Sequence, residues 1–457
     1  MVLDSIKSFV IKQRMRQIRK ELSDINLEKV EKQIANVNWR TINAFKKFNI
    51  IKELKHSAEN SPYYRDKIPE LIKGINYKNA LSIIPKLPFT TSAEVSVNSK
   101  QFLAVPKSEV AGLHFTYGTT GGKKTIYNTK RDLNLINYSY TLGFINCGIE
   151  KKDIAQIVYS FGVWQLAEYI LSALRSVGII TIPTGNYVSF QDQEEYIEKF
   201  GTNVIFGTPS YVYNLSREID LSTKVKANMK AILVGGEGLP EHRRKVIEEK
   251  LGGEVFINYG LNEFGGGIGS ECKCHNGYHI FPNVIYEIID PKTTEPVERE
   301  EYGELVLTSL RREAMPLIRY RTGDITRIID GECDCGLKLP RIDQLKGRTD
   351  DRVVIGAAEK YYPIVFDKLF DSVDEIKDYW IEVVSENDKD SLKTYISAKK
   401  PSKKLKAKIL EKFYSLDSLK IDIETTKTVN KPEIIFIDKL PNSAKRRRLV
   451  DKRKFKT

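Results

Sequence analysis

The sequence predicts an α/β fold: a large multi-subdomain N-terminal domain with mostly parallel sheets, followed by a small α+β C-terminal domain. Between about residues 130 and 260, short apolar runs alternate with longer stretches whose apolar residues recur at helical spacing. Strands that alternate with helices are typical of parallel sheets. After about residue 280 the pattern changes to strands joined by turns, and the last part of the chain mixes both patterns.

The first 60 residues are predicted to be helical, because apolar residues recur at helix-like spacing among lysines and arginines. Such a basic amphipathic helix either packs on its own domain or makes peripheral contact with a membrane surface. No run approaches the 18 or so apolar residues that a transmembrane helix requires. The N-terminus also lacks the features of a signal peptide, so we expect a cytoplasmic protein.

The alternating region contains nine predicted elements. They are a helix at 133–144, a strand at 154–159, a helix at 165–177, a strand at 179–182, a helix at 191–200, strands at 204–206 and 231–234, a helix at 240–251 and a strand at 255–259. Ligands of such sheets bind at the carboxyl ends of the strands. Polar or glycine-rich segments follow three of these strands, at 206–210, 234–237 and 258–263.

The remaining chain is predicted to form a β-rich subdomain at about 265–346 and a separate small domain. Strands are expected at 284–290, 303–309 and 324–329. We place a domain boundary at 347–351, which divides the chain into a large domain, 1–346, and a small mobile domain, 347–457. In the small domain we expect strands at 379–384 and 433–437 and a helix at 405–413.

The net charge of +13 favours binding of a polyanion, and nucleotides, anionic membranes and nucleic acids all qualify. A glycine-rich segment at 116–125 is a candidate phosphate site, because its glycines, threonines and lysines offer backbone N–H groups, hydroxyls and positive charge. It does not have the spacing of a P-loop, and a basic surface turn is the alternative. A basic nucleic-acid-binding protein is a further hypothesis, although no recognisable nucleic-acid-binding module is present.

Six segments, taken in order, resemble the motifs of the adenylate-forming superfamily of acyl-CoA synthetases and nonribosomal-peptide adenylation domains. They are 117–121, 234–237, 258–263, 320–324, 347–351 and 441–445. The chain most resembles the phenylacetate–coenzyme A ligase branch, which includes capsular-polysaccharide biosynthesis relatives. The resemblance implies that ATP binds through Tyr117, Gly118, Thr119, Thr120, Gly121, Gly122, Lys123, Gly236, Glu237, Asn258, Tyr259, Gly260, Asp324 and Arg348.

The resemblance also assigns the catalytic groups. Glu263 would bind Mg²⁺, and Thr120 and Lys445 would act on the phosphates. Asp350 would be the hinge about which the small domain turns. These residue types suit the reaction, because a carboxylate must attack the α-phosphorus of ATP and both groups are negative. A lysine is a compact point charge on a flexible stem, which suits Lys445 to a mobile domain.

Four of the five cysteines form two Cys-x-Cys pairs, and clustered thiols in a reducing compartment more often bind metal than form disulfides. The resemblance implies a structural Zn²⁺ held by Cys272, His279, Cys333 and Cys335. Cys274 and His275 are alternative ligands. A closed four-ligand site would be structural.

The implied activity is ATP-dependent conversion of a small-molecule carboxylic acid to an acyl-adenylate and pyrophosphate, followed by transfer of the acyl group to a thiol, coenzyme A. The alternative is an adenylating enzyme of capsule or secondary-metabolite biosynthesis with another acceptor: a carrier-protein thiol, an amine or a sugar. The segment 355–363 favours keeping this alternative, because it differs in length and chemistry from the turn typical of the family's CoA ligases.

Replacing Lys445 with alanine is expected to reduce adenylation by about 100-fold or more, because the variant removes charge that stabilises the transition state. Carboxylate-dependent ATP–pyrophosphate exchange measures the loss, and circular dichroism checks that the fold is retained. Normal exchange by the variant would show that a neighbouring arginine has this role or that the assignment is wrong.

Overall fold

The computed structural model describes residues 27–35, 38–117, 123–162, 165–349, 353–356, 359–387, 389–438 and 448–453. The chain divides into two compact units. The first comprises 1–237, 246–322 and 326–344, and the second comprises 238–245, 323–325 and 345–457. The basic segment before residue 27, for which membrane contact was one interpretation, lies outside the described residues.

The strands of the first unit belong to a hairpin, a large mixed sheet and a smaller antiparallel sheet. In chain order they are β1 (Val110–Tyr117), β2 (Lys123–Thr129), β3 (Ile154–Ile157), β4 (Ile180–Ile182), β5 (Val204–Gly207), β6 (Ala231–Gly235), β7 (Glu254–Leu261), β8 (Gly266–Ser270), β9 (Tyr278–Ile280), β10 (Val284–Ile289), β11 (Gly303–Ser309), β12 (Tyr320–Thr326), β13 (Ile328–Ile329) and β14 (Arg341–Ile342). Residues 323–325 of β12 belong to the second unit.

The α-helices up to residue 251 are α1 (Leu27–Ala35), α2 (Trp39–Asn60), α3 (Pro62–Arg65), α4 (Ser92–Val97), α5 (Lys130–Asn146), α6 (Leu166–Ser176), α7 (Phe190–Phe200), α8 (Pro209–Glu218), α9 (Thr223–Asn228) and α10 (Glu241–Leu251). Short 3-10 helices span Ile84–Lys86, Ser99–Phe102, Lys107–Glu109 and Asn262–Phe264. No helix in the described part of the chain has both the length and the apolar character needed to span a bilayer.

The large sheet has the spatial order β13-β14-β9-β8-β7-β6-β5-β3-β4. The five strands from β4 to β7 are parallel, and the four strands from β8 to β13 extend the sheet in antiparallel fashion. The predicted α/β class and its parallel sheet are therefore confirmed. The antiparallel pairing of β10 with β11 agrees with the predicted change of pattern.

The parallel strands are mostly apolar because helices cover them. Phe206 on β5 and Leu233 on β6 are buried in one cluster with Phe144 of α5 and with Tyr169 and Ala173 of α6. Strands covered on both faces are typically continuous apolar runs, which explains why the sequence revealed them clearly.

Local capping explains where several helices begin. Thr129 caps α5 and Ser189 caps α7, each forming a capping box with an aspartate three residues later. Helices α8 and α9 were missing from the sequence prediction, which treated 206–210 only as a loop. The Thr208 side chain caps α8, and Pro209 occupies its first turn, so this segment is also a helix start.

In the second unit, a mixed sheet of order β20-β19-β18-β21 packs with helices. Its elements after residue 345 are β15 (Gly347–Arg348), β16 (Val353–Ile355), β17 (Glu359–Tyr361), α11 (Pro363–Asp371), β18 (Ile376–Glu386), β19 (Lys389–Ala398), α12 (Lys403–Tyr414), α13 (Asp417–Glu424), β20 (Glu433–Phe436) and β21 (Leu449–Asp451). Its core includes Phe366, Phe370, Tyr379, Ile381 and Phe413. This is the predicted α+β pattern; the boundary at 347–351 stays a prediction.

A buried carboxyl in α2 makes stability depend on pH. Glu53 is 3% exposed, and its Oε1 accepts a hydrogen bond from Ser309 Oγ at 2.7 Å and one from the Arg312 backbone N–H at 3.3 Å. Burial raises the pKa of Glu53 to about 8, although these hydrogen bonds oppose the shift. In the folded protein Glu53 therefore keeps its proton at pH values at which the same residue in the unfolded chain has already lost it.

We expect Glu53→Gln to gain stability relative to the native protein as the pH rises. A group with a raised folded pKa loses its contribution between the unfolded pKa and the folded pKa, so the change falls between about pH 4.5 and pH 8. The difference in unfolding free energy should move by at least about 1 kcal/mol across this window. Urea unfolding of both proteins at several pH values measures it, and a pH-independent difference would contradict the raised pKa.

Candidate functional site

The predicted phosphate loop joins the two strands of a hairpin. Strands β1 and β2 pair in antiparallel register, with Tyr117 opposite Lys123. Residues 118–122 lie outside the described residues, so the predicted contacts of Gly118, Thr119, Thr120, Gly121 and Gly122 stay predictions. The described strands nevertheless show where this loop begins and ends.

Side chains of α6 and the hairpin fix the hairpin in place. The Tyr169 hydroxyl accepts a hydrogen bond from Asn128 Nδ2 at 3.2 Å and lies 2.6 Å from His114 Nδ1. Burial lowers the pKa of His114 to about 4, so its ring is neutral near pH 7 and shares one hydrogen bond with the Tyr169 hydroxyl. The base of the loop is therefore attached to a helix of the main core.

A buried triangle of polar atoms lies beside the start of β2. Lys124 Nζ is 2.5 Å from Glu263 Oε1, and the Tyr320 hydroxyl is 3.0 Å from each of these atoms. Burial alone would raise the pKa of Glu263, but the charge and hydrogen bond of Lys124 hold it below its ordinary value. Glu263 is therefore ionised. Lys124 and Tyr320 were not among the predicted site residues. Lys124 lies in the glycine-rich segment 116–125, and Tyr320 lies in the motif segment 320–324.

Strands β6 and β7 place the next predicted residues side by side, since Gly235 pairs with Asn258. Gly236 follows with a φ of 86°, a conformation that favours glycine. The carboxylate of Glu237 accepts hydrogen bonds from the backbone N–H and the hydroxyl of Ser210, at 3.1 Å and 3.0 Å. These contacts join the ends of neighbouring parallel strands, the expected location of a ligand site.

The segment that follows β7 brings backbones close together. A side chain at Gly260 would meet the Gly266 carbonyl oxygen at 2.6 Å, which explains the glycine. The Tyr259 ring is 6% exposed and stacks with Tyr278 at 5.9 Å between ring centroids. Its predicted contact with adenine stays a prediction.

In the second unit, two predicted residues form an ion pair. Asp324 and Arg348 lie opposite each other on β12 and β15, and Arg348 Nη1 donates to Asp324 Oδ1 at 3.1 Å. The Thr349 N–H donates to the Gly323 carbonyl at 2.7 Å and closes this pairing. Asp350 and Lys445 lie outside the described residues, so their roles as hinge and catalytic lysine stay predictions.

Four predicted metal ligands converge in the first unit. The donor atoms of Cys272, His279, Cys333 and Cys335 all lie within 4.8 Å of one another. The sulfurs of Cys272 and Cys333 are 3.7 Å apart, and Cys335 Sγ is 3.3 Å from His279 Nε2. A tetrahedral zinc with Zn–S bonds of about 2.3 Å places sulfurs about 3.8 Å apart, so the spacing fits this ion.

The second ring nitrogen of His279 also fits a metal site. Nδ1 lies 3.3 Å from the Leu339 carbonyl, which directs Nε2 toward the thiols. Burial lowers the pKa of His279 to about 4, so the ring is neutral and Nε2 keeps its lone pair. Of the alternative ligands, His275 instead contacts Glu254 at 2.9 Å and Glu271 at 3.4 Å. Cys274 lies near Cys272 and Cys333, and burial together with the Cys333 thiol raises the pKa of its own thiol.

Comparisons with known proteins show the family to which the chain belongs. A family model described as AMP-binding enzyme matches residues 5–310. The phenylacetate-coenzyme A ligase of Pseudomonas putida is 32% identical over 308 residues, which span 66% of this chain and 69% of that protein. The chain belongs to the AMP-binding enzyme family. The phenylacetate-coenzyme A ligase of Thermus thermophilus is 30% identical over 75% of this chain and 78% of its own length.

Family membership confirms the predicted AMP-forming ligase and its place near the phenylacetate–coenzyme A ligases. Of the two classes of hypothesis, the comparisons support the enzyme. A solved structure of 2-hydroxyisobutyryl-CoA ligase, in the postadenylation state with 2-HIB-AMP, matches with a TM-score of 0.74. That match is 21% identical and covers 90% of this chain and 89% of the other, which shows a shared fold.

Proposed function

We propose that this AMP-binding enzyme converts a carboxylic acid to its coenzyme A thioester through an acyl-adenylate. The observation that carries the proposal is the ionised, buried Glu263 beside Lys124 at the base of the phosphate loop. The phenylacetate–coenzyme A ligases named above make an aryl-substituted acetic acid the first candidate substrate.

Glu263 fits the role of a magnesium ligand, because it offers an ionised carboxylate oxygen and Mg²⁺ prefers oxygen ligands. When bound with ATP, Mg²⁺ neutralises negative charge on the phosphate oxygens. Thr120 and Lys123, with the backbone N–H groups of the loop, would bind the phosphates. The substrate carboxylate then attacks the α-phosphorus, and pyrophosphate leaves.

The remaining roles follow the motifs. Gly236, Glu237, Asn258, Tyr259 and Gly260 would surround the adenine, where two parallel strands end. Asp324 would accept hydrogen bonds from the ribose hydroxyls, with Arg348 orienting its carboxylate.

Lys445 would neutralise the attacking carboxylate and the α-phosphate. Rotation about Asp350 would then admit the thiol.

For the acyl acceptor, a second candidate stands beside coenzyme A. The turn after β16 differs from that of the family's CoA ligases, and the Gly356 N–H is bound to Asp390 Oδ2 at 2.9 Å. A side chain at Gly356 would lie 2.1 Å from an Asp422 oxygen, so the backbone at Gly356 is packed closely against α13. An amine, a sugar or a carrier-protein thiol is the alternative acceptor.

The Cys/His cluster is proposed to hold one structural Zn²⁺ through Cys272, His279, Cys333 and Cys335. Support comes from the 3.7 Å sulfur spacing and the orientation of the His279 ring. With four protein ligands the site would be closed, so the ion would order the chain around it.

We expect the protein to catalyse ATP–pyrophosphate exchange that depends on an arylacetic acid, and Glu263→Gln to reduce it by about 100-fold or more. Glu254→Gln is a matched control, because it removes a carboxylate at the start of β7, away from the segment that contains Glu263. A screen of aromatic, fatty and sugar-derived acids, with and without coenzyme A, identifies acid and acceptor. Exchange with no acid would contradict the proposed activity. Absence of an acyl-CoA product from an acid that supports exchange would favour the rival acceptor.

Metal analysis is expected to give about one zinc per chain, and Cys333→Ser should lose it, because three ligands hold zinc less tightly than four. Cys147→Ala is the control, since Cys147 is buried outside the four-donor set. Cys274→Ser should retain zinc and His279→Ala should not. The reverse result would assign the fourth position to Cys274.

A further inference from the structure

A buried lysine, Lys124, lies next to the predicted phosphate loop and contacts Glu263. Lys124 is 4% exposed, and its ammonium contacts Glu263 Oε1, an oxygen of the carboxylate that we assign to Mg²⁺. The Tyr320 hydroxyl donates to the same oxygen and accepts from Lys124. Oε1 therefore already receives two hydrogen-bond donors, one of them charged.

An ammonium and a divalent cation on this one oxygen repel each other strongly where water is excluded. Mg²⁺ therefore binds the Glu263 carboxylate more favourably when Lys124 moves away. Its side chain is a flexible stem with a mobile point charge, and it lies one residue after the first residue of β2, next to the phosphate loop. A nucleotide phosphate in that loop would offer the displaced ammonium a new anionic partner.

We propose that Lys124 is a placeholder cation, which neutralises Glu263 before nucleotide binds and then exchanges onto a phosphate oxygen as Mg–ATP enters. This inference rests on the proposed function, since it takes Glu263 as the metal ligand. No covalent bond changes; one ion pair replaces another. The exchange keeps Glu263 from binding a divalent cation alone, so metal and ATP enter together.

Binding of Mn²⁺ to the full-length protein without nucleotide tests this inference, with free Mn²⁺ measured by electron paramagnetic resonance. Lys124→Met removes the charge and keeps the length, so it should bind Mn²⁺ about tenfold more tightly than the native protein. Lys124→Arg keeps a cation and should bind as weakly as the native protein.

The double variant Lys124→Met/Glu263→Gln should lose the gain, which assigns the new site to Glu263. Equal Mn²⁺ affinity in the native protein and Lys124→Met, or a gain that survives in the double variant, overturns the proposal. If Lys124→Met does not fold, Tyr320→Phe decides: it loosens the hold of Lys124 on Glu263 and should raise Mn²⁺ affinity severalfold, and native affinity overturns the proposal. These measurements need neither acid nor turnover, so their failure is distinct from failure of the proposed ligase activity.

Discussion

The buried contact between Lys124 and Glu263 is the interaction on which the site depends. It joins the hairpin that carries the predicted phosphate loop to the segment after β7, and the Tyr320 hydroxyl adds the start of β12. Taking two charges out of water is costly, and only close geometry with further hydrogen bonds offsets that cost. Removing one partner of a buried pair typically costs about 3–5 kcal/mol, so three segments distant in sequence are held in one arrangement.

The Cys/His cluster lies in the antiparallel extension of the large sheet. Strands β9, β13 and β14 are only two or three residues long, and such short strands form few hydrogen bonds of their own. His279 lies on β9 opposite Arg341 of β14, while Cys333 and Cys335 lie in the connection between β13 and β14. A metal shared by these segments would hold the antiparallel extension together where hydrogen bonds alone are sparse.

Much of the fold was predictable because its signals are local. The parallel strands are mostly apolar, and the helices between them have amphipathic patterns or capping residues. Helix α8 was missed because Thr208 and Pro209 are typical both of a loop and of a helix start. The contact of Glu237 with Ser210 was also not predicted, since it joins the ends of two strands that only the sheet order makes neighbours.

The sequence by itself determined the class of elements, the order of the motifs and, through them, the family and its reaction. These depend on residue types at short spacing, which a single chain displays directly. Tertiary structure decided which side chains meet: that His279 rather than His275 faces the thiols, and that Lys124 rather than solvent faces Glu263. The physical reason is that these partners are up to 139 residues apart, and only strand order and register bring them within bonding distance.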